Sequence, residues 1–203
     1  MIDNLIYVEK LTIPEIDRAE VLRYARVRVS DEETDRILDE CISLTDGKVS
    51  SLVCYRIFDI KICEDSIDLG FAKTSSKSLM KTMSDCDKAI VFCATAGGEI
   101  DRLIARNSLT SPAKAIMLQA LGSERVEAVC DAFCHKIADT VSQMGYACTK
   151  RFSPGYGDLP LELQRDIFLA IAPTVKIGVN LGENLFMTPT KSVTAIIGLK
   201  NVK

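Results

Sequence analysis

The order of periodic segments along this chain predicts an α+β fold with a mostly antiparallel sheet and flanking helices. Three observations carry the prediction. Strand-like and helix-like segments are grouped rather than strictly alternating, which disfavours a doubly wound parallel sheet. Residues 51–72 place apolar side chains at or near period two, the spacing of half-buried strands. Residues 123–144 carry the clearest amphipathic helix, with Val126, Val129, Cys130, Phe133, Ile137, Val141 and Met144 on one face.

The elements follow in order. Residues 14–26 read as a short helix with Pro14 in its first turn. Ser30, with Glu33 three residues on, forms a candidate capping box for a second helix. Its stripe is Ile37, Leu38, Cys41 and Ile42, and Gly47 stops it. Strands follow through Val53, Tyr55, Ile57, Ile60, Ile62, Ile67 and Leu69, with Glu64-Asp65-Ser66 as a turn. A helix is expected at 75–84. Lys88–Thr95 is a continuous apolar run, as in a strand buried on both faces. Gly97-Gly98 breaks it and opens a helix near 99–107. Two helices are expected at 112–121 and 123–144, separated at Gly122-Ser123, with Ser123 capping the second and Gly145 ending it. Asp158 is the candidate N-cap of a helix running through 171, striped by Leu159, Leu163, Ile167 and Ile171 and closed by Pro173. Short strands at 176–181, 185–187 and 192–199 complete the chain, with Thr188-Pro189-Thr190 as a turn.

Composition narrows the function. With 203 residues, 47% of them hydrophobic, the chain has material for a sizeable core in one unit spanning 1–203. A formal charge of −3 argues against nucleic acid or an anionic membrane as the main partner. The charge is uneven: residues 151–203 hold 6 Lys+Arg against 4 Asp+Glu, and the rest of the chain is acidic. Met1-Ile2-Asp3-Asn4 lacks the basic and apolar regions of a signal peptide, and no apolar run reaches membrane-spanning length. A cytoplasmic location is expected. The eight cysteines form no CxxC pair, and with one histidine they fit no zinc-finger spacing. They read as reduced, mostly buried thiols, and no metal site is expected.

The usual catalytic signatures are absent. There is no G-x-G-x-x-G after a strand, no Walker-type phosphate loop and no G-x-S-x-G elbow. Glu127, Asp131 and His135 share one helical face, which reads as a solvated face opposite the apolar stripe. Cys134 beside His135 makes no nucleophilic pair, because adjacent helical residues do not face each other. The informative stretch is Arg151-Phe152-Ser153-Pro154-Gly155-Tyr156-Gly157-Asp158-Leu159-Pro160. An arginine there can fork onto a carboxylate, Pro154 and Gly155 force a turn that presents backbone groups, and Tyr156 offers an aromatic face. That combination suits a small zwitterion with a flat ring. The alternative is a surface arginine beside a capped helix, with Tyr156 packed into the core; sequence chemistry alone leaves both open.

Arg151-Phe152-Ser153-Pro154-Gly155-Tyr156 resembles the R-x-x-P-G-Y loop of the activation (reactivation) domain of cobalamin-dependent methionine synthase. Three further blocks are similar in order and spacing. They are the strand Ala89–Thr95 ending in Gly97-Gly98, the helix from Ala120-Leu121 through Val126-Glu127-Ala128, and the segment Leu181-x-Glu183-x-x-x-Met187-x-Pro189-x-x-Ser192-Val193. The resemblance covers residues 88–203; residues 1–87 are the more divergent part. It implies an α+β fold with a twisted antiparallel sheet and a ligand groove for S-adenosylmethionine. By motif, Arg151 holds the methionyl carboxylate, backbone groups around Ser153, Pro154 and Gly155 hold the adenine, Tyr156 lies along the ligand, and Glu127 lies near its amino end. No catalytic side chain is implied.

The family's homocysteine, methyltetrahydrofolate and cobalamin modules have no counterpart in the sequence. The resemblance therefore implies a free-standing reactivation subunit, a component of a methyltransferase system in methionine biosynthesis. Its partners would be a cobalamin-binding methionine synthase chain and a flavodoxin-like electron donor. Two alternatives stay open: a reactivation factor for another corrinoid methyltransferase, and a non-catalytic S-adenosylmethionine sensor or scaffold.

Overall fold

The computed structural model describes residues 5–202. Residues 1–4, on which the expected lack of a signal peptide rests, and Lys203 lie outside the described residues. In chain order the elements are β1 (Tyr7–Lys10), α1 (Arg18–Tyr24), α2 (Glu32–Thr45), β2 (Leu52–Asp59), β3 (Lys61–Ile62), β4 (Ile67–Asp68), β5 (Lys73–Thr74), α3 (Lys77–Thr82), β6 (Lys88–Thr95), α4 (Glu99–Asn107), α5 (Pro112–Ser142), β7 (Tyr146–Cys148), α6 (Leu163–Ile171), α7 (Pro173–Ile177), β8 (Asn180–Leu181), β9 (Met187–Thr188) and β10 (Ser192–Asn201). The main sheet is a curled antiparallel one in the order β1-β2-β6-β10-β7. Two small sheets, β3-β4-β5 and β8-β9, sit beside it. The α+β architecture predicted from the grouping of segments is the one observed.

β6 explains its own apolar run. Ala89, Val91 and Cys93 face one side and pack with Leu163, Ile167, Ile171 and Ile177 of α6 and α7. Ile90, Phe92 and Ala94 face the other and pack under Val129, Cys130, Phe133 and Ile137 of α5. With both faces covered there is no place for a polar alternation. A third apolar cluster joins the first half of α5 to α1, α2 and α4 through Val21, Leu38, Ile100, Leu118 and Leu121.

Several expected boundaries move. The pair of helices around Gly122-Ser123 is one 31-residue helix. Gly122 is there for close approach: a Cβ would lie 2.8 Å from Lys191 Cε and 2.9 Å from Ile100 Cγ2. Ser123 caps nothing, and its hydroxyl donates to the Gln119 carbonyl one turn back. α2 is capped by Asp31, which accepts the Thr34 N–H at 2.8 Å, while Ser30 donates to Asp35. α1 begins only at Arg18, capped by Asp17. Pro14 belongs to the preceding segment, whose Pro14 and Glu15 carbonyls accept from Arg125 at 2.8 and 3.1 Å. Glu124 pairs with Arg125 and accepts the Asp17 N–H, so both members of this buried pair have further partners. Pro173 does not only close α6; it opens α7, which occupies the start of the strand expected at 176–181. The edge strands β1 and β7 and the two-residue β5 were not anticipated.

Phe133 joins helix to sheet. It is fully buried, its ring 5.0 Å from Tyr55 and 4.8 Å from Phe92. Phe133→Ala is expected to cost about 3–5 kcal/mol, read as a fall in the denaturant midpoint with little change in slope.

Candidate functional site

The site begins at the outer edge of β10. β7 pairs only with Leu199, Lys200 and Asn201. The chain then follows β10 for a few residues more. The Thr149 N–H donates to the Gly198 carbonyl at 2.9 Å, and Phe152 exchanges both backbone hydrogen bonds with Ile196, at 2.8 and 2.9 Å. Past Phe152 the loop turns away and leaves Ser192–Thr194 uncovered. A cavity of about 410 Å³ lies there, inside the range of about 300–1,000 Å³ usual for small-molecule sites.

The loop is built to turn. The Tyr156 N–H donates to the Ser153 carbonyl at 3.1 Å, and the Gly155 N–H to the Leu159 carbonyl at 2.9 Å. Gly155 (φ 87°) and Gly157 (φ 56°) occupy the left-handed region that glycine favours. Asp158 is the N-cap partner of α3 rather than of α6, a correction to the sequence expectation. Its carboxylate accepts the Ser76 hydroxyl at 2.5 Å and the N–H groups of Lys77 and Ser78 at 2.7 and 3.1 Å. The Ser76 hydrogen bond, with the Ser78 and Lys77 amides, holds the carboxyl far below the usual carboxylate range. The loop is thereby fastened to a helix some eighty residues earlier.

The cavity straddles the β10 edge, and its two ends differ chemically. On the α5 side Arg151 pairs with Glu127 and lies 3.1 Å from Asp131. Burial opposes the guanidinium's charge, but the surrounding Cys130, Glu127, Asp131 and Cys134 outweigh it and raise its pKa. On the α6 side stand Gln164 and Thr194, with relative exposures of 6% and 2%. Gln164 Oε1 and Thr194 Oγ1 are buried without a hydrogen-bond partner, whereas Arg151 Nη1 keeps its ionic contact with Asp131. An unsatisfied buried polar group costs about 1–3 kcal/mol, so two on one wall of a cavity suit a place that takes a polar ligand. Tyr156, 71% exposed, stands at the mouth, and Met187 lines the wall.

The structure thus brings Arg151, Ser153, Pro154, Tyr156 and Glu127 to one cavity. Gly155 shapes the turn behind it. Tyr156 is not in the core, which removes the alternative reading of that residue. The face of Glu127 and Asp131 is not merely solvated, since both engage Arg151; His135 on the same face is exposed. Gln164 and Thr194 were missed as site residues. Their signal is a polar residue inside an apolar stripe or strand. Four of the eight free cysteines are buried, three are partly buried and Cys63 is exposed. Burial pushes the Cys41 thiol up to about 11 and Cys54 up to about 12. Among the described residues no group of three His, Cys, Asp or Glu could hold a metal ion, and no helix is long and apolar enough to cross a membrane.

No protein-family model matches the chain, and no curated protein matches it. Among solved structures, the crystal structure of the MetH reactivation domain bound to AdoHcy is similar, with a TM-score of 0.67 and 16% sequence identity. The match covers 95% of this chain and 78% of that chain. The two share a fold. Because the match with the MetH reactivation domain spans nearly the whole chain, it takes in most of residues 1–87, where the sequence resemblance is weakest.

Asp158→Asn tests the tether. A carboxyl with a depressed folded pKa contributes stability that is complete above its unfolded value, about 3.9. That contribution is lost as pH falls towards the folded value. The variant is expected to melt below the wild type at pH 7, with the gap closing below about pH 4. Thermal unfolding from pH 2 to 7 checks this; a gap independent of pH would remove the charge from the account.

Proposed function

We propose that the protein binds S-adenosylmethionine in the β10-edge cavity and presents its methyl group to cobalamin carried by a partner protein, as a reactivation component of a cobalamin-dependent methionine synthase. The observation that carries this reading is the pairing of ends in one cavity. A guanidinium and carboxylates lie at one end, orphaned neutral polar atoms at the other, and an exposed tyrosine beside a proline-glycine turn between. An adenosyl amino acid has the matching parts: a zwitterion, a nucleoside and an apolar link. The fold shared with a domain solved with AdoHcy supports the same ligand class.

Each residue has a defined task. Arg151 exchanges Glu127 for the ligand carboxylate, a bidentate match. Glu127 and Asp131, released from it, face the ligand's ammonium group. The Ser153–Gly155 backbone holds the adenine, and Tyr156 lies along the ligand. This chain's residues would hold and orient the sulfonium donor, while cobalamin on the partner, reduced by a flavodoxin-like electron donor, would supply the nucleophile. The chain therefore needs to position, exclude water and dock rather than move protons, and it would act in the cytoplasm with these partners.

Calorimetric titration with S-adenosylhomocysteine tests the site. Saturable binding is expected, and Arg151→Ala should weaken it by roughly 1.5–3 kcal/mol, about 10- to 150-fold. Unchanged affinity in the folded variant would remove Arg151 from the site. Binding without methyl transfer to any reduced corrinoid protein would favour a sensor over a reactivation component.

A further inference from the structure

The charged end of the cavity and the loop account for the motif residues, but not for Gln164 and Thr194. Gln164 follows Leu163 on α6, in the helix turn that packs against β6. It is an amide placed where the stripe calls for an apolar side chain. Thr194 lies on β10 two residues before Ile196, so their side chains share the face covered by α6. Both residues line the cavity, both are more than nine-tenths buried, and each has a side-chain oxygen without a partner. Packing does not require either oxygen: methionine and valine fill nearly the same volumes.

The backbone adds to the same spot. Ile196 spends its N–H and C=O on Phe152 across the outer edge. Alternation along an antiparallel strand turns the N–H and C=O of Thr194 to that edge as well, where no strand among the described residues extends to meet them. Ser192, the other hydroxyl on this stretch, is already committed to Thr95 and Pro189, at 2.9 and 2.8 Å. The unmet capacity is therefore concentrated at Gln164 and Thr194.

We infer that Gln164 and Thr194 are the specificity-determining pair of the cavity, accepting hydrogen bonds from a donor-bearing group on the neutral, nucleoside end of the ligand. The inference rests on the adenosyl reading above and assigns the α6 end of the same site. The shared chemistry is an N–H or O–H donor, supplied either by the exocyclic amine of adenine or by the ribose hydroxyls. A ligand that has the amino-acid end alone leaves both oxygens orphaned and is discriminated against.

The experiment is calorimetry on the full chain with S-adenosylhomocysteine, S-inosylhomocysteine and the 2′-deoxy and 3′-deoxy forms of S-adenosylhomocysteine. The proteins are the wild type, Gln164→Met, Thr194→Val and Thr194→Ser, each checked by thermal unfolding. Gln164→Met and Thr194→Val are expected to bind S-adenosylhomocysteine about tenfold more weakly, with Thr194→Ser restoring the affinity. On the wild type, loss of affinity for the inosyl form assigns the amine, and loss for a deoxy form assigns the ribose. In either case the penalty for that analogue should vanish in the variant that lacks the matching acceptor. Variants that bind like the wild type, or analogues that all bind equally, would overturn the inference and leave the adenosyl site standing. A wild type that does not bind S-adenosylhomocysteine would overturn both. Should Gln164→Met not fold, the Thr194→Val and Thr194→Ser pair decides by itself.

Discussion

β10 runs ten residues along the sheet, while β7 pairs with only its last three. That mismatch leaves a strand edge that the protein has to dispose of, since unpaired backbone groups at an edge invite association. Phe152 covers part of it with a single bridge. The remainder is not covered by another strand; it is walled by α5 on one side, α6 on the other and the 153–156 loop across the front. The cavity is therefore a product of sheet topology. Its polarity follows from which helix supplies each wall, with carboxylates on α5 and an amide on α6.

The protein's own carboxylates hold the guanidinium of the cavity in place. Arg151 is partly buried against Glu127 and Asp131, so much of the desolvation that a ligand carboxylate would otherwise demand has been met on folding. Exchanging one carboxylate for another on the same fork costs little ordering of the arginine, and preorganisation of this kind converts contact into affinity. The neutral end works differently. Gln164 and Thr194 each carry the cost of an unsatisfied oxygen, which a ligand donor would relieve, so on the reading above their contribution would be to selectivity among ligands.

Much of the architecture is legible in the sequence because it follows from periodicity. The apolar run of β6, the stripe of α2 and the start of α4 after Gly97-Gly98 all appear where pattern puts them. What is not legible depends on partners distant in sequence. Gly122 reads as a break because glycine usually is one; only the approach of Lys191 and Ile100 explains a glycine inside an unbroken helix. Asp158 reads as the cap of the helix that follows it, yet the amides it serves belong to Lys77 and Ser78. β1 and β7 are short edge strands with exposed residues and carry little periodic signal. The motif residues of the site were readable because they are contiguous. Gln164 and Thr194 were not, because each is ordinary in its own segment and acquires meaning only when α6 and β10 meet.

A lysine helps to tie the two walls of the cavity together. Lys191 lies immediately before β10 and passes over Gly122, its ammonium donating to the Gln119 carbonyl at 2.9 Å and to the Ser123 hydroxyl at 3.1 Å. Burial lowers its pKa, offset in part by Asp101, and Asp101 also accepts from the N–H and hydroxyl of Thr190 at 2.7 and 2.5 Å. The Lys191 contacts pin the start of β10 to α5 one turn before Glu127, and the Thr190 contacts pin it to α4. Together with the β6 pairing, this anchor ties the strand that carries Thr194 to the helix that carries Glu127. Gly122 is the residue that lets the anchor close. It gives up about 1 kcal/mol of helical propensity relative to alanine, and in exchange Lys191 and Ile100 pack where a Cβ would stand.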